Sequence, residues 1–215
     1  MNPFVSGYLK FRQDVFPANA AKHKALARSQ KPHTLFITCA DSRVMPGEFT
    51  QTEQGDLFQC RVVGNLVPAH GNFSSGGVVS AIEYAVMVLE VQHIIVCGHS
   101  DCGAMRAFSH PEKLTELKSV KAWIEHAASA IAMSKEHHGH LEGEEFLTEL
   151  CKENVRSQLQ HLRTHPCVAT RLRKGSLEIH GWYYDIGEGT VQQYVEASQT
   201  FMPLDQAALA GALIY

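Results

Sequence analysis

An α/β fold built on a mainly parallel sheet is the architecture the sequence predicts, and three features predict it. Short, β-rich apolar runs at 34–38 and 93–97 stop abruptly at polar, small-residue turns, as strands of a buried parallel sheet do at its carboxyl edge. Segments with helical spacing lie between the strand-like runs, the alternation that parallel pairing through crossovers requires. Length and composition agree, since 215 residues with 45% apolar side chains suit one domain, 1–215, able to bury a core. We expect about four parallel strands plus an antiparallel edge strand, flanked by helices, with an N-terminal helical arm over 1–30.

Taken in order, Phe4, Tyr8, Leu9, Phe11, Val15 and Phe16 have helical spacing before Pro17, and 18–28 reads as a second helix. Both are amphipathic and must bury an apolar face, on their own domain or elsewhere. Strand one covers 34–38 and strand two 56–62, DLFQCRV, joined through Pro46 and the polar QTEQG by a short helical turn. GNFSSGG at 71–77 matches neither glycine-rich phosphate-loop spacing and reads as a turn. The helix after it, 78–89, is apolar on nearly every face except at Glu83, so it belongs on the sheet or at a subunit interface. Strand three is 93–97, and 102–108 begins a short helix. Trp123, Ile124, Ala127, Ala128 and Ile131 mark another helix; Phe146, Leu150, Val155, Leu159 and Leu162 mark one more. LEIHGWYYD at 177–185 is strand four, and IGEG turns it into an edge strand at 190–195.

Charge and composition narrow the function. A net charge of −3 with no basic stripe gives no support to nucleic acid or anionic membrane partners, and suits a small neutral substrate. No run of about eighteen apolar residues exists to span a bilayer. The opening MNPFVSGYLKFRQDVF has early charges and no apolar h-region, so a secretory signal is not expected and the cytoplasm is. Six cysteines then read as reduced thiols rather than a disulfide framework.

The chemistry concentrates where strands one and three end. TLFITCADSR offers Cys39, Asp41 and Arg43; IIVCGHSDCG offers His99 and Cys102. Both turns lie at the carboxyl edge, where open α/β sheets bind ligands. Two thiols and an imidazole are three zinc ligands, one short of a closed tetrahedron, so a fourth position is left for water or substrate. Completion by a residue such as Asp41 would make the site structural instead, and buried cysteines without metal are the remaining alternative. Cys60, Cys97, Cys151 and Cys167 lie on apolar segments and read as small buried hydrophobes. His137, His138 and His140 in KEHHGH read as a solvated link between helices.

The pair CADSR and HSDCG, sixty residues apart, resembles the β-class carbonic anhydrases, and the similarity of motif and spacing runs from about Gln30 to Asp185. The resemblance implies one Zn2+ per chain on Cys39, His99 and Cys102, and reversible hydration of carbon dioxide to bicarbonate by hydroxide at the fourth position. Two thiolates cancel the charge of zinc, so this should be a weaker Lewis acid than a three-histidine zinc, with activity rising toward alkaline pH. Arg43 would pair with Asp41, keep it ionised and off the metal, and leave it to accept the hydroxide's hydrogen. By position, Gln30, Phe58, Val63, Tyr84 and Gly103 match the family's substrate pocket. Gln30 would donate to a bicarbonate oxygen, Phe58, Val63 and Tyr84 form an apolar wall across a dimer interface, and Gly103 open a helix whose N–H groups favour an anion. The resemblance also lays the 1–30 arm across a neighbouring subunit of a homodimer or larger even-numbered assembly.

One branch of that family closes its site with bicarbonate bound by a tryptophan, an arginine and a tyrosine. Arg61 and Tyr184 stand at two of these places, but Phe36 replaces the tryptophan. Lacking the indole N–H, this chain should not show that inactivation. Two other functions keep the same ligands: hydrolysis of carbonyl sulfide or carbon disulfide on this scaffold, and a structural zinc protein without turnover.

Overall fold

The computed structural model describes residues 2–71, 76–108 and 114–209; most of GNFSSGG thus lies outside the described residues. Its centre is a six-stranded sheet ordered β2-β1-β3-β4-β5-β6. The strands are β1 (Thr34–Thr38), β2 (Leu57–Arg61), β3 (His93–His99), β4 (Glu178–Asp185), β5 (Thr190–Val195) and β6 (Thr200–Pro203). The first four in sequence are parallel to one another, and β5 and β6 are antiparallel to their neighbours. The mainly parallel α/β class is as expected, with a second antiparallel strand where one was anticipated. That strand, TFMP, is four residues ending in proline, too short to carry an alternating pattern. β3 runs two residues beyond the expected end, so His99 is its last residue.

The helices are α1 (Pro3–Lys10), α2 (Ala20–Leu26), α3 (Pro46–Phe49), α4 (Gly77–Met87), α5 (Gly103–Phe108), α6 (Lys118–Ile124), α7 (Ala128–His138), α8 (Gly143–Thr164), α9 (Pro166–Arg173) and α10 (Leu204–Leu209). The single helix expected around 123–131 is two, split by a tight turn at Glu125–Ala127. α9 was not anticipated; it starts afresh with Pro166 at its first position, where a missing N–H costs nothing.

All five residues of β1 are buried, because both faces of the sheet are covered, which explains its unbroken apolar run. On one face Leu35, Ile37, Ile94 and Val96 pack with Ile82 of α4, Leu159 and Leu162 of α8 and Val168 of α9. On the other, Phe36, Ile95 and Cys97 meet Phe49, Trp182 and Tyr184. Each fully buried Leu, Ile or Phe contributes roughly 1.5–3 kcal/mol relative to exposure. α8 lies close against β3 and β4 because both strands carry glycine at the contact. A Cβ on Gly98 would come 2.8 Å from Val155 Cγ2, and one on Gly181 2.8 Å from Leu159 Cδ1. This contact fixes α8 beneath the strand ends that carry the site.

The arm behaves differently. No residue of α1 is buried, and Phe4 and Tyr8 are 84% and 59% exposed, so within one chain its apolar face has no cover.

Candidate metal centre

Three residues that sequence alone nominates converge. The Cys39 and Cys102 sulfurs and a His99 ring nitrogen lie within 4.8 Å of one another, all buried, at the carboxyl edge of β1 and β3. Parallel pairing sets this: Thr38 is level with Cys97, so Cys39 leaves β1 beside the end of β3. Cys102 returns to the site because Asp101 takes a left-handed φ of 52° and reverses the chain.

His99 shows how the cluster is prepared. Its Nδ1 lies 2.8 Å from the Ser100 carbonyl, to which it donates, so the Nε2 lone pair faces the two sulfurs. That Nε2 is buried and has no hydrogen-bond partner. A buried nitrogen acceptor aimed at two sulfurs is the arrangement a thiophilic cation satisfies, and the S2N donor set suits zinc. Cys39 Sγ also accepts the Gly64 N–H at 3.4 Å. The neighbouring Cys102 thiol, then His99 and Gly64, hold the Cys39 thiol down to about 4, which favours the thiolate that binds a metal.

Gly64 can turn its N–H inward because it adopts φ 71°, closed to most side chains. Its carbonyl accepts from buried Asn154 Nδ2 at 3.0 Å, while Gln158 of the same helix accepts the Val67 N–H at 2.8 Å and donates to Asn154 at 2.9 Å. α8 thereby fixes the loop that supports Cys39.

Asp41 and Arg43 pair as expected. Arg43 Nε donates to Oδ1 at 3.0 Å and Nη2 to Oδ2 at 2.8 Å, and the Arg43 backbone N–H also reaches Oδ1. These bonds hold the Asp41 carboxyl far below the usual carboxylate range. Its Oδ2 lies 3.9 Å from His99 Nε2, beside the cluster but bound to arginine. Sequence reasoning missed Asp101, which accepts Arg43 Nη1 at 3.0 Å and Arg106 Nη2 at 2.5 Å, extending the pair into a chain that ends on Glu144. Its place between two ligands in HSDCG was the available signal. Arg61 donates to the Asp41 carbonyl at 2.6 Å and the Cys39 carbonyl at 3.3 Å, bracing the turn.

The pocket residues divide. Val63, 41% exposed, and Gly103, exposed, lie at the carboxyl edge with the ligands. α5 has only six residues, so Gly103 offers its own N–H more than a helix dipole. Phe58 is level with Leu35, about 13 Å along the sheet from Cys39, and its ring lies 5.9 Å from that of Tyr84. Gln30, exposed, precedes β1 at the same far end. One chain does not bring Gln30, Phe58 and Tyr84 to its own ligands. KEHHGH forms no convergent set among the described residues; His138 instead faces Glu149 at 3.8 Å.

A buried Cys2His centre at the carboxyl edge of a mostly parallel sheet, with an arginine-bound aspartate beside it, defines an α/β protein of the metal-dependent enzyme class. A family model described as carbonic anhydrase matches residues 34–191. A carbonic anhydrase of Pseudomonas aeruginosa is 46% identical over 204 residues, covering 95% of this chain and 92% of the relative. The solved β-carbonic anhydrase CcaA superposes with a TM-score of 0.91 at 39% identity, over 94% of this chain and 91% of its own. Structures described as two tetrameric β-carbonic anhydrases of Sordaria macrospora give 0.72 at 26% identity, over 89% and 92%. The chain belongs to the β-carbonic anhydrase family and is an enzyme of that kind.

Proposed function

We propose that this chain interconverts carbon dioxide and bicarbonate using one zinc ion held by Cys39, His99 and Cys102. The observation that carries the reading is the unpartnered, buried His99 Nε2 facing two sulfurs, while both Asp41 oxygens are committed to Arg43. A structural zinc would call for a fourth protein ligand, and the arginine clamp removes the nearest candidate. When bound, zinc supplies the Lewis acidity that makes a water molecule nucleophilic toward alkaline pH.

The protein's own groups do the rest. Asp41 accepts the nucleophile's hydrogen and so turns an oxygen lone pair toward carbon. Arg43 keeps that carboxylate ionised and in place. Val63 gives an apolar wall suited to a linear, uncharged substrate, and the Gly103 N–H an oxygen donor. Gln30, Phe58 and Tyr84 complete the pocket from a second copy of the chain, which makes the working unit at least a homodimer and gives the uncovered arm a surface to bind. Among the described residues no helix is long and apolar enough to cross a membrane, and we read the chain as a single domain working in the cytoplasm.

The test is stopped-flow hydration of carbon dioxide by zinc-loaded protein. We expect turnover that rises with pH, and Cys39→Ser to lose most of its zinc and at least a hundredfold in rate, since a thiolate ligand is replaced by a poor one. Full zinc retention with unchanged rate in Cys39→Ser would overturn the assignment.

A further inference from the structure

We propose that His93, Glu178 and His180 form a second divalent-metal site, suited to zinc, at the amino-terminal edge of the sheet. His93 opens β3 and His99 ends it, so the two centres stand about 20 Å apart along one strand. His93 is level with Glu178 across the β3–β4 pair, and His180 follows two residues on, so all three side chains leave the same sheet face.

Their ligand atoms form a small triangle. His93 Nδ1 lies 3.3 Å from His180 Nε2 and 3.5 Å from Glu178 Oε2, and His180 Nε2 lies 3.6 Å from the same oxygen. Three ligands on a tetrahedral zinc with bonds of about 2.0–2.1 Å stand roughly 3.3–3.4 Å apart, so a few tenths of an ångström of closure suffices. The two nitrogens can share one proton between themselves, but Glu178 Oε2 is buried and accepts no hydrogen bond. An unsatisfied carboxylate oxygen beside two imidazoles is costly when empty and is relieved by a cation. Two imidazoles and one carboxylate also match the His2Glu donor set of known zinc sites. Side-chain exposures of 32% at His93 and 30% at Glu178 leave one approach open, so the ion is exchangeable, with water at its fourth position.

Metal counting on the intact, zinc-loaded protein tests this. After dialysis against micromolar free Zn2+, wild type should hold a second equivalent per chain, and Glu178→Gln should hold one. Carbon dioxide hydration should be unchanged in Glu178→Gln, because the residue lies far from Cys39. His93→Gln, a change at a part-exposed side chain, should repeat the loss if Glu178→Gln folds poorly. Cys39→Ser should lose the catalytic ion yet keep the other, which separates failure of this site from failure of the catalytic assignment. Wild type saturating at one equivalent would overturn the proposal. A second equivalent that survives both Glu178→Gln and His93→Gln, and is lost instead with His137, His138 and His140 replaced, would also overturn it.

Discussion

In the proposed mechanism Arg43 is the residue on which the chemistry turns, because it would decide whether Asp41 serves the substrate or the metal. With two hydrogen bonds from its guanidinium to the Asp41 carboxylate and one to the Asp101 carboxylate, it is held from both sides. Arg43→Ala should therefore keep its zinc, let the carboxylate swing toward the ion, and lose about a hundredfold in hydration rate, the usual scale for a misplaced catalytic group. Metal content and stopped-flow rate on one sample check it; wild-type turnover would dissolve the clamp. Phe36 sets a second expectation. It is fully buried, edge-on to Trp182 and Phe49, while Phe49 stacks on Tyr184 at 4.4 Å and Arg61 is spent on backbone carbonyls. Titrating bicarbonate near neutral pH should give no steep, sigmoidal loss of rate, whereas such a loss abolished by Arg61→Ala would show an anion pocket here after all. The convergence of Cys39, His99 and Cys102 and the Asp41–Arg43 pair were legible in the sequence because each residue lies within a few residues of a strand end. Asn154 and Gln158 were not, since what they touch is settled by the approach of α8 and not by their neighbours in the chain, and Asp101 had only its place within HSDCG to signal that it would meet Arg43.

The junction between α8 and α9 carries a pH dependence of its own. His165 is buried there, its Nε2 2.9 Å from the Pro68 carbonyl, its ring edge-on to His70, and its Nδ1 unpartnered. Burial lowers its pKa below 6.5, His70 and His161 adding to the shift while the hydrogen bond to the Pro68 carbonyl, and then Glu83, oppose it. The unfolded chain thus takes up this proton before the folded one. The contribution of His165 to stability is whole above about pH 6.5 and shrinks as pH falls toward the lower, folded value. Between about pH 7.5 and 5.5 the unfolding temperature of wild type should drop further than that of His165→Gln, which retains a donor for Pro68 but cannot charge. Equal drops would refute this. Helix α9 and strand β6 show where reading elements from sequence stops. Both are short: α9 is held by partners distant in sequence, Val168 packing on the α4 face of the core, and β6, which pairs with the neighbouring β5, spans only four residues and so carries no alternating pattern.

The whole molecule is polarised, with the Cys39, His99 and Cys102 cluster at one end of the sheet and Gln30, Phe58 and Tyr84 at the other. In the proposed dimer the arm joins these ends between chains, so Phe4→Ser with Tyr8→Ser should weaken association and make activity per chain fall on dilution where wild type holds steady. Sedimentation and rate measured across one dilution series check it, and concentration-independent activity of a monomeric variant would sink the shared-site reading. Fold class was legible from pattern alone because a parallel sheet buried on both sides writes itself as apolar runs. How two chains meet was not, because an exposed Tyr84 or Phe4 reads the same whether it faces water or a partner. The separation of the two ends has a consequence in heredity. In the proposed dimer, an allele dead for want of Cys39 and another dead for want of Tyr84 would damage opposite halves of each pocket, so a mixed dimer would contain one pocket with both halves intact, and two null alleles in one cell should complement each other.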